Sequence, residues 1–363
     1  MKAVGPTRLM IVSLCLGCGG GSATPPKVDA PSDVARDVAV DVARDAPADA
    51  RVAPPIDEAP DCGGDALLAH HGDLALVVSA MRIETLANSF DLDGNGSPDN
   101  KLSAIASLSQ SAIDDGLTMG TLAIPIEIFD RDADPDACVK LALYDGACVG
   151  TCNFTDATPD MVMLAAASID GAGVPISRMR AMATTAAGVL STAGPGYLQI
   201  RIPVSTGLDL TLPITVTRVD GTLGATGLTA FRFGGTLQAF RLATIPAPPN
   251  PQIGVMPGDT LLDMIYANLL GPLLALPKST VMPSCRTADI DLDGDGLEAF
   301  CDSDPNDNIK RVDLCIDGDG TVIHDGDGGV ARCVDAMVGG VPRFVDGISA
   351  AFVLDARPAT IAP

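Results

Sequence analysis

The sequence predicts a mainly β protein with a few helices: an antiparallel β-sandwich-like domain plus a small disulfide-rich segment of acidic loops. Three observations predict it. Leu198, Ile200, Ile202 and Val204 place apolar residues at every second position. Leu208, Leu210, Leu212, Ile214 and Val216 do the same, with Asp209, Thr211, Pro213, Thr215 and Thr217 between them. Such alternation means one buried and one solvated face, as in an antiparallel sheet. Third, residues 285–335 are rich in Cys and Asp-Gly pairs and poor in core-forming residues. A segment of that kind is held by cross-links and ions rather than by burial.

The elements follow in order over a β domain at 62–243, a linker and helix at 244–284, and the Cys/Asp-rich segment with a terminal strand at 285–363. Leu74 to Glu84 reads as a buried strand. After an acidic loop, Leu102, Ile105, Ala106, Ala112 and Ile113 share one helical face, with Asn100 as the expected cap. Leu122, Ile124, Ile126 and Ile128 alternate in a further strand, and Phe231 and Phe233 mark another. Pro125, Pro203 and Pro213 within these runs point to edges or bulges. Five prolines in residues 244–258 mark a linker. A helix is expected from Asp259 to Leu276, bent at Gly271-Pro272. It serves core packing, since Asp263 and Asn268 make it a poor membrane span. Phe344 to Leu354 is expected to return to the main sheet.

The N-terminus is a signal-like segment over residues 1–18. Lys2 and Arg8 precede a short apolar run, Leu9 to Leu16, too short to span a bilayer. Gly17-Cys18, followed by Gly19-Gly20-Gly21-Ser22, resembles the bacterial lipobox, which implies lipidation of Cys18. Cys15 departs from the leucine usual there, and an ordinary secretory signal is the alternative. Residues 19–61 carry Asp29, Asp33, Asp37, Asp41, Asp45 and Asp49 at a four-residue step among many prolines. Like charges at that step and prolines both oppose a helix. The stretch reads as a tether, with ends ~35 Å apart as a flexible coil and ~130 Å when extended. The expected location is therefore outside the cytoplasm, anchored to the outer membrane or the cell surface.

Of ten cysteines, Cys15 and Cys18 belong to the signal. The remaining Cys62, Cys138, Cys148, Cys152, Cys285, Cys301, Cys315 and Cys333 are even in number, which in an exported chain favours disulfides. Proximity favours Cys285–Cys301 and Cys315–Cys333, with Cys138 joined to Cys148 or Cys152 and Cys62 to the one left over. No pair has zinc-type CxxC spacing.

The net charge of −23, at a pI near 4.2, argues against nucleic acid and anionic membrane surfaces as partners and favours cations. Aromatic residues are only 3% of the chain, with no Trp. That removes both the platform of a glycan site and the girdles of a transmembrane barrel.

Two acidic stretches carry the clearest chemistry. In Asp291-Leu-Asp293-Gly-Asp295-Gly296, carboxylates stand at the first, third and fifth places, glycine at the sixth, and Asp302 at the twelfth. Converging oxygens around a sharp turn suit a hard cation, Ca²⁺ above others. In Asp91-Leu-Asp93-Gly-Asn95-Gly-Ser97-Pro-Asp99 the candidate ligands are Asp91, Asp93, Asn95, the Ser97 carbonyl and Asp99, with Leu102 where a closing carboxylate is expected. The first stretch resembles a thrombospondin type 3 calcium repeat and an EF-hand loop. Asp291, Asp293, Asp295, Cys301 and Asp302 match that pattern, and Ala299 replaces the ninth-place Asp. The second resembles dockerin and EF-hand loops. Asp289, Glu298 and Asp304 flank the first as reserve ligands. Asp317, Asp319, Asp325 and Asp327 form a looser cluster, either metal loops or plain Asp-Gly turns.

Nothing in the chain spells out a reaction. His70 and His71 read as a solvated pair, and His324 lies among acids. No Gly-x-Ser-x-Gly elbow, P-loop or His-Glu-x-x-His occurs. As a whole the chain resembles uncharacterised lipoproteins of Gram-negative bacteria. The reading is of a non-enzymatic, calcium-binding envelope lipoprotein of structural, adhesive or interaction type, meeting the membrane through its lipid and other envelope proteins. An apolar-ligand carrier, with a cavity lined by Leu210, Leu212 and Ile214, and an acidic-site hydrolase are the alternatives.

Overall fold

The computed structural model describes residues 67–131, 136–183, 188–205, 208–249, 255–265, 285–302, 312–318, 320–324, 337–338, 341–342 and 344–362. The signal with Cys18, the tether, Cys62, Cys333, Asp304, Asp319, Asp325, Asp327 and most of the 259–276 helix lie outside them.

The main sheet uses β1 (Leu74–Ile83), β2 (Pro125–Phe129), β3 (Asp136–Leu143), β6 (Ser177–Ala183), β7 (Val189–Thr192), β8 (Gly196–Ser205), β9 (Leu208–Gly224), β10 (Gly227–Gln238) and β17 (Gly347–Pro358). All pairings within it are antiparallel. A small sheet joins β4 (Gly146–Cys148), β5 (Met161–Leu164) and β18 (Thr360–Ala362). The Cys/Asp-rich segment forms a four-stranded sheet of β11 (Arg286–Thr287), β12 (Ala299–Cys301), β13 (Leu314–Ile316) and β14 (Val322–His324), and a hairpin of β15 (Met337–Val338) and β16 (Val341–Pro342). The helices are α1 (Ala106–Thr118), α2 (Ala239–Thr244) and α3 (Leu261–Met264). None among the described residues is long and apolar enough to cross a membrane.

The sheet closes on itself. Its order runs β10-β17-β1-β2-β3-β6-β7-β9, and β9 pairs again with β10. Both β7 and β8 lie between β6 and β9, one beyond the other. The two facing layers expected of a sandwich are thus opposite walls of one closed sheet. The interior is apolar and filled. Phe233 stacks on Phe352 with ring centroids 5.4 Å apart, and Phe231 lies 6.1 Å from Phe233. Leu210, Leu212 and Ile214 belong to the same core. The outer face carries residues such as Arg201, Asp220, Arg232 and Asp355.

Two irregularities set the phase of β9 and β10. Val216 faces Gly235 and Arg218 faces Gly234, so Thr217 is an extra residue. The bulge returns Val219 to the core and leaves Arg218 exposed. A second shift places Ala230, at φ +45°, as the extra residue of β10. The prolines fall as expected: Pro125 starts β2, Pro203 borders a register shift, and Pro213 lies where β10 no longer pairs with β9.

α1 packs against β1 and β8, strands that are not neighbours in the ring, and buries Ile113 and Leu117. Asn100 does not cap it. A 3-10 turn, Lys101–Ile105, precedes the helix, and the buried Asn100 amide serves the main chain of other strands instead.

β17 enters the ring between β1 and β10, so the expected return of the C-terminal run to the main sheet holds. It also means that the barrel is completed by the segment containing the second acidic loop. Where the linker meets α3, Pro246 bridges Thr260, and Thr260 and Asp263 form a reciprocal capping box.

Cys285–Cys301 forms as expected. Cys148 pairs with Cys152, Cα atoms 5.9 Å apart, so Cys138 is joined to neither. The reason is topological: Cys138 sits in the main sheet, whereas the turn between β4 and β5 brings Cys152 back onto Cys148. Cys138 and Cys315 are disulfide-bonded too.

Candidate metal centre

The first acidic loop is a run of side-chain-to-main-chain hydrogen bonds. Its base is closed by Phe90 and Asp99, with Asp99 N–H donating to the Phe90 carbonyl at 2.7 Å. Asp91 accepts from the N–H groups of Gly94 (2.8 Å) and Gly96 (2.9 Å). Asp93 accepts from Asn95 N–H at 2.9 Å and Asn95 Nδ2 at 2.7 Å, and Asn95 Oδ1 accepts from Ser97 N–H at 2.8 Å. Asp99 Oδ2 accepts from Leu92 N–H at 2.8 Å. Gly94 and Gly96 stand at φ +78° and +86°, a region that disfavours other residues. The result gathers carboxylate oxygens of Asp91, Asp93 and Asp99 within 4.8 Å of one another. Burial, the largest influence, raises the Asp99 pKa, and the charges of Asp93 and Asp91 add to it.

The second loop repeats the pattern. Asp291 accepts from Gly294 N–H (2.6 Å) and Gly296 N–H (3.2 Å), and Asp293 from Asp295 N–H (3.4 Å). Oxygens of Asp291, Asp293 and Asp295 also lie within 4.8 Å of one another. The Asp295 pKa is raised to about 6, first by burial and then by the charge of Asp293. Both groups could hold a metal ion.

The loops differ in what closes them. Leu292 N–H donates to Asp346 Oδ1 at 2.8 Å, the counterpart of the Leu92–Asp99 bond. The main-chain acceptor in the place of Asp99 is thus supplied from 54 residues away, although Asp346 is not in the group of converging carboxylates. Asp302, the expected twelfth-place ligand, is not in the group. In an EF-hand a helix follows the loop, whereas here the chain enters β12, extended between β11 and β13 and tied by Cys285–Cys301. A strand rises ~3.3 Å per residue, so it does not fold its end back on the loop. Asp346 was missed because it has no local spacing to betray it: a lone Asp stands just before a strand.

Glu298 and Asp289 of the reserve ligands, and Asp317 of the looser cluster, have other partners. Glu298 is fully buried and accepts from Val345 N–H at 2.9 Å and Asp346 N–H at 3.1 Å. Burial, with the Asp346 charge second, pushes its pKa up to about 9, and burial lifts Asp346 to about 7. Asp317 accepts from Thr321 N–H at 2.6 Å in a tight turn, and its charge raises the Asp295 pKa. Asp289 accepts from Ser349 N–H at 2.9 Å and Oγ at 2.5 Å, and burial raises its pKa.

Both loops are mounted on the edge of β17 that runs on past the end of β1. Gly347 bridges Ile290. Ser349 Oγ donates to Asp289 and accepts from Lys101 N–H at 2.9 Å, just past the first loop. Ala351 N–H donates to Asn100 Oδ1 at 3.2 Å, and Asn100 Nδ2 donates to the carbonyls of Ala351 and Glu84. Two loops distant in sequence thereby share one strand.

His70 and His71 are exposed, as expected of a loop pair. Fold and site together define a closed antiparallel β protein with two strand-mounted acidic loops able to hold a metal. No family model, curated protein or solved structure matches the chain.

Proposed function

We propose that this protein is a calcium-stabilised, exported lipoprotein of the cell envelope, of structural or interaction type, held at the membrane by lipidated Cys18. The observation that carries the reading is the pair of loops with matching hydrogen-bond patterns, each converging three carboxylates. Oxygen-only donors favour Ca²⁺ over softer ions. Without an ion, each loop holds like charges that repel by ~1 kcal/mol per pair at 4 Å in water. Extracellular modules bind Ca²⁺ at roughly 10⁻⁴ to 10⁻³ M, which suits a resident structural ion. Disulfides Cys148–Cys152 and Cys285–Cys301 support an oxidising compartment. The partners in this reading are other proteins of the envelope. Leu210, Leu212 and Ile214 are accounted for by core packing, so they favour no carrier role.

The test is thermal melting of the oxidised protein in calcium, magnesium and chelator. A rise of several degrees specific to calcium is expected, and equal melting in all three would overturn the metal reading. The anchor is tested separately. Cys18→Ser should move the protein from the membrane to the soluble envelope fraction, and unchanged fractionation would remove the lipid.

A further inference from the structure

The geometry points to a second binding site, on the outer wall of the barrel, for a small monocarboxylate with an apolar body. The chain has twice as many acidic as basic residues, 46 against 23. Against that background Arg178 and Arg180 form a short basic stripe on β6, beside Lys140 of β3, which is buried and ion-paired with Asp130 at 2.6 Å. Lys140 of β3 pairs in register with Arg180 of β6, and Arg178 pairs with Tyr197 of β8. Where the stripe meets α2, a cleft of about 300 Å³ opens between Arg178, Tyr197, Gln199 and Arg241.

The cleft is built rather than incidental. Tyr197 is only 8% exposed, and the Arg241 guanidinium lies 5.0 Å from its ring centroid. Arg241 Nε donates to Gln238 Oε1 at 3.0 Å, and buried Gln238 in turn accepts from Thr215 Oγ1 at 3.1 Å. Arg178 donates to the Pro175 carbonyl at 3.3 Å, and Gln199 Nε2 to the Tyr197 hydroxyl at 2.9 Å. Each polar group is therefore held in place before a ligand arrives, which lowers the ordering cost of binding.

The lining selects the ligand class. A planar guanidinium matches a carboxylate or phosphate in a two-pronged fashion. Pro175, Ile176 and the Tyr197 ring supply an apolar wall for a hydrocarbon or aromatic body. Asp170 stands at the rim, with its Oδ1 accepting from Ala172 and Val174 N–H. Its charge opposes a dianion more than a monoanion, so a monocarboxylate is favoured over phosphate. The site is separate from the acidic loops and does not depend on their metal.

The test titrates benzoate into the full chain, followed by saturation-transfer NMR of the benzoate ring protons, with acetate and inorganic phosphate as competitors. Saturable binding with a dissociation constant on the order of 1 mM is expected. Arg241→Gln and Arg178→Gln should each weaken it about tenfold while melting as the native protein does. Arg82→Gln, at a distant and exposed position, should leave it unchanged. Arg241→Lys should recover only part of the loss. Absence of saturation, or native-like binding by both Gln variants, overturns the site. Displacement of benzoate by phosphate or acetate at equal concentration overturns the ligand class.

Discussion

Glu298 and Asp346 each hold the other's main chain: Glu298 N–H donates to Asp346 Oδ2 at 3.1 Å, and Asp346 N–H to Glu298 Oε2 at 3.1 Å. Both residues are 0% exposed. Asp346 also reaches Leu292 in the acidic loop, and the next residue, Gly347, begins β17. This buried pair is the joint between the second loop and the barrel.

Asp346→Ala should therefore destabilise the protein whether or not calcium is present. It leaves the N–H groups of Leu292 and Glu298 without acceptors, at ~1–3 kcal/mol for the buried Glu298 donor and less for Leu292, which water reaches. Denaturant melts in chelator check this. A loss seen only in calcium would mean that Asp346 acts as a metal ligand instead of a main-chain anchor.

The two carboxylates at the head of the second loop should behave differently. Asp293 makes one long hydrogen bond and is exposed, so Asp293→Ala should lower the melting temperature in calcium and little in chelator. Asp291 accepts two main-chain N–H groups, so Asp291→Ala should lower it in both. Equal loss in both conditions for Asp293→Ala would count against a metal role for that residue.

Stability should fall as pH rises when no metal is present. Asp295, Asp346 and Glu298 are lifted to about 6, about 7 and about 9, from ordinary values of 3.8, 3.8 and 4.5, chiefly by burial. A raised carboxyl pKa means that the folded state holds protons the unfolded chain has released. This contribution is complete below the ordinary values and is lost as pH climbs through the folded ones. Melting temperature in chelator should decline from pH 5 to pH 9. Calcium should flatten the decline, since the ion takes over the charge that protons offset. A melting temperature in chelator that rises over this range would contradict the assignment.

Gly318→Ala tests the contact between the second loop and the 317–321 turn. A β-carbon there would stand 2.0 Å from Asp295 Oδ1 and 2.3 Å from the Gly296 carbonyl, so the turn must retreat. Weaker calcium binding by titration calorimetry is expected, and native affinity would show that the turn does not support the loop.

Much of this was legible in the chain. The two-residue period of Leu210, Leu212 and Ile214 announced a strand with one buried face, and those residues are in the core. The period stopped being informative at Thr217, where a bulge shifts the phase and Val219 takes the inward place. No local pattern encodes that shift, because it depends on how β10 lies alongside. Asn100 looked like a helix cap for the same kind of reason. Its residue type suits a cap, but β17 offers its amide better partners.

By itself the sequence determined what could be determined locally: strand periods, turn glycines, the first and third carboxylates of each loop, and a disulfide of short span. Local geometry suffices there, because neighbouring residues make the contacts. The tertiary structure decided the rest. Pairing of β9 with β10 closed the sheet, and β17 joined the barrel to the acidic segment and mounted both loops. Asp346 accepted from the second loop's main chain, and Asp302 lay outside its group of converging carboxylates. These outcomes depend on contacts between residues from tens to hundreds of positions apart, and only the fold of the whole chain brings such residues together.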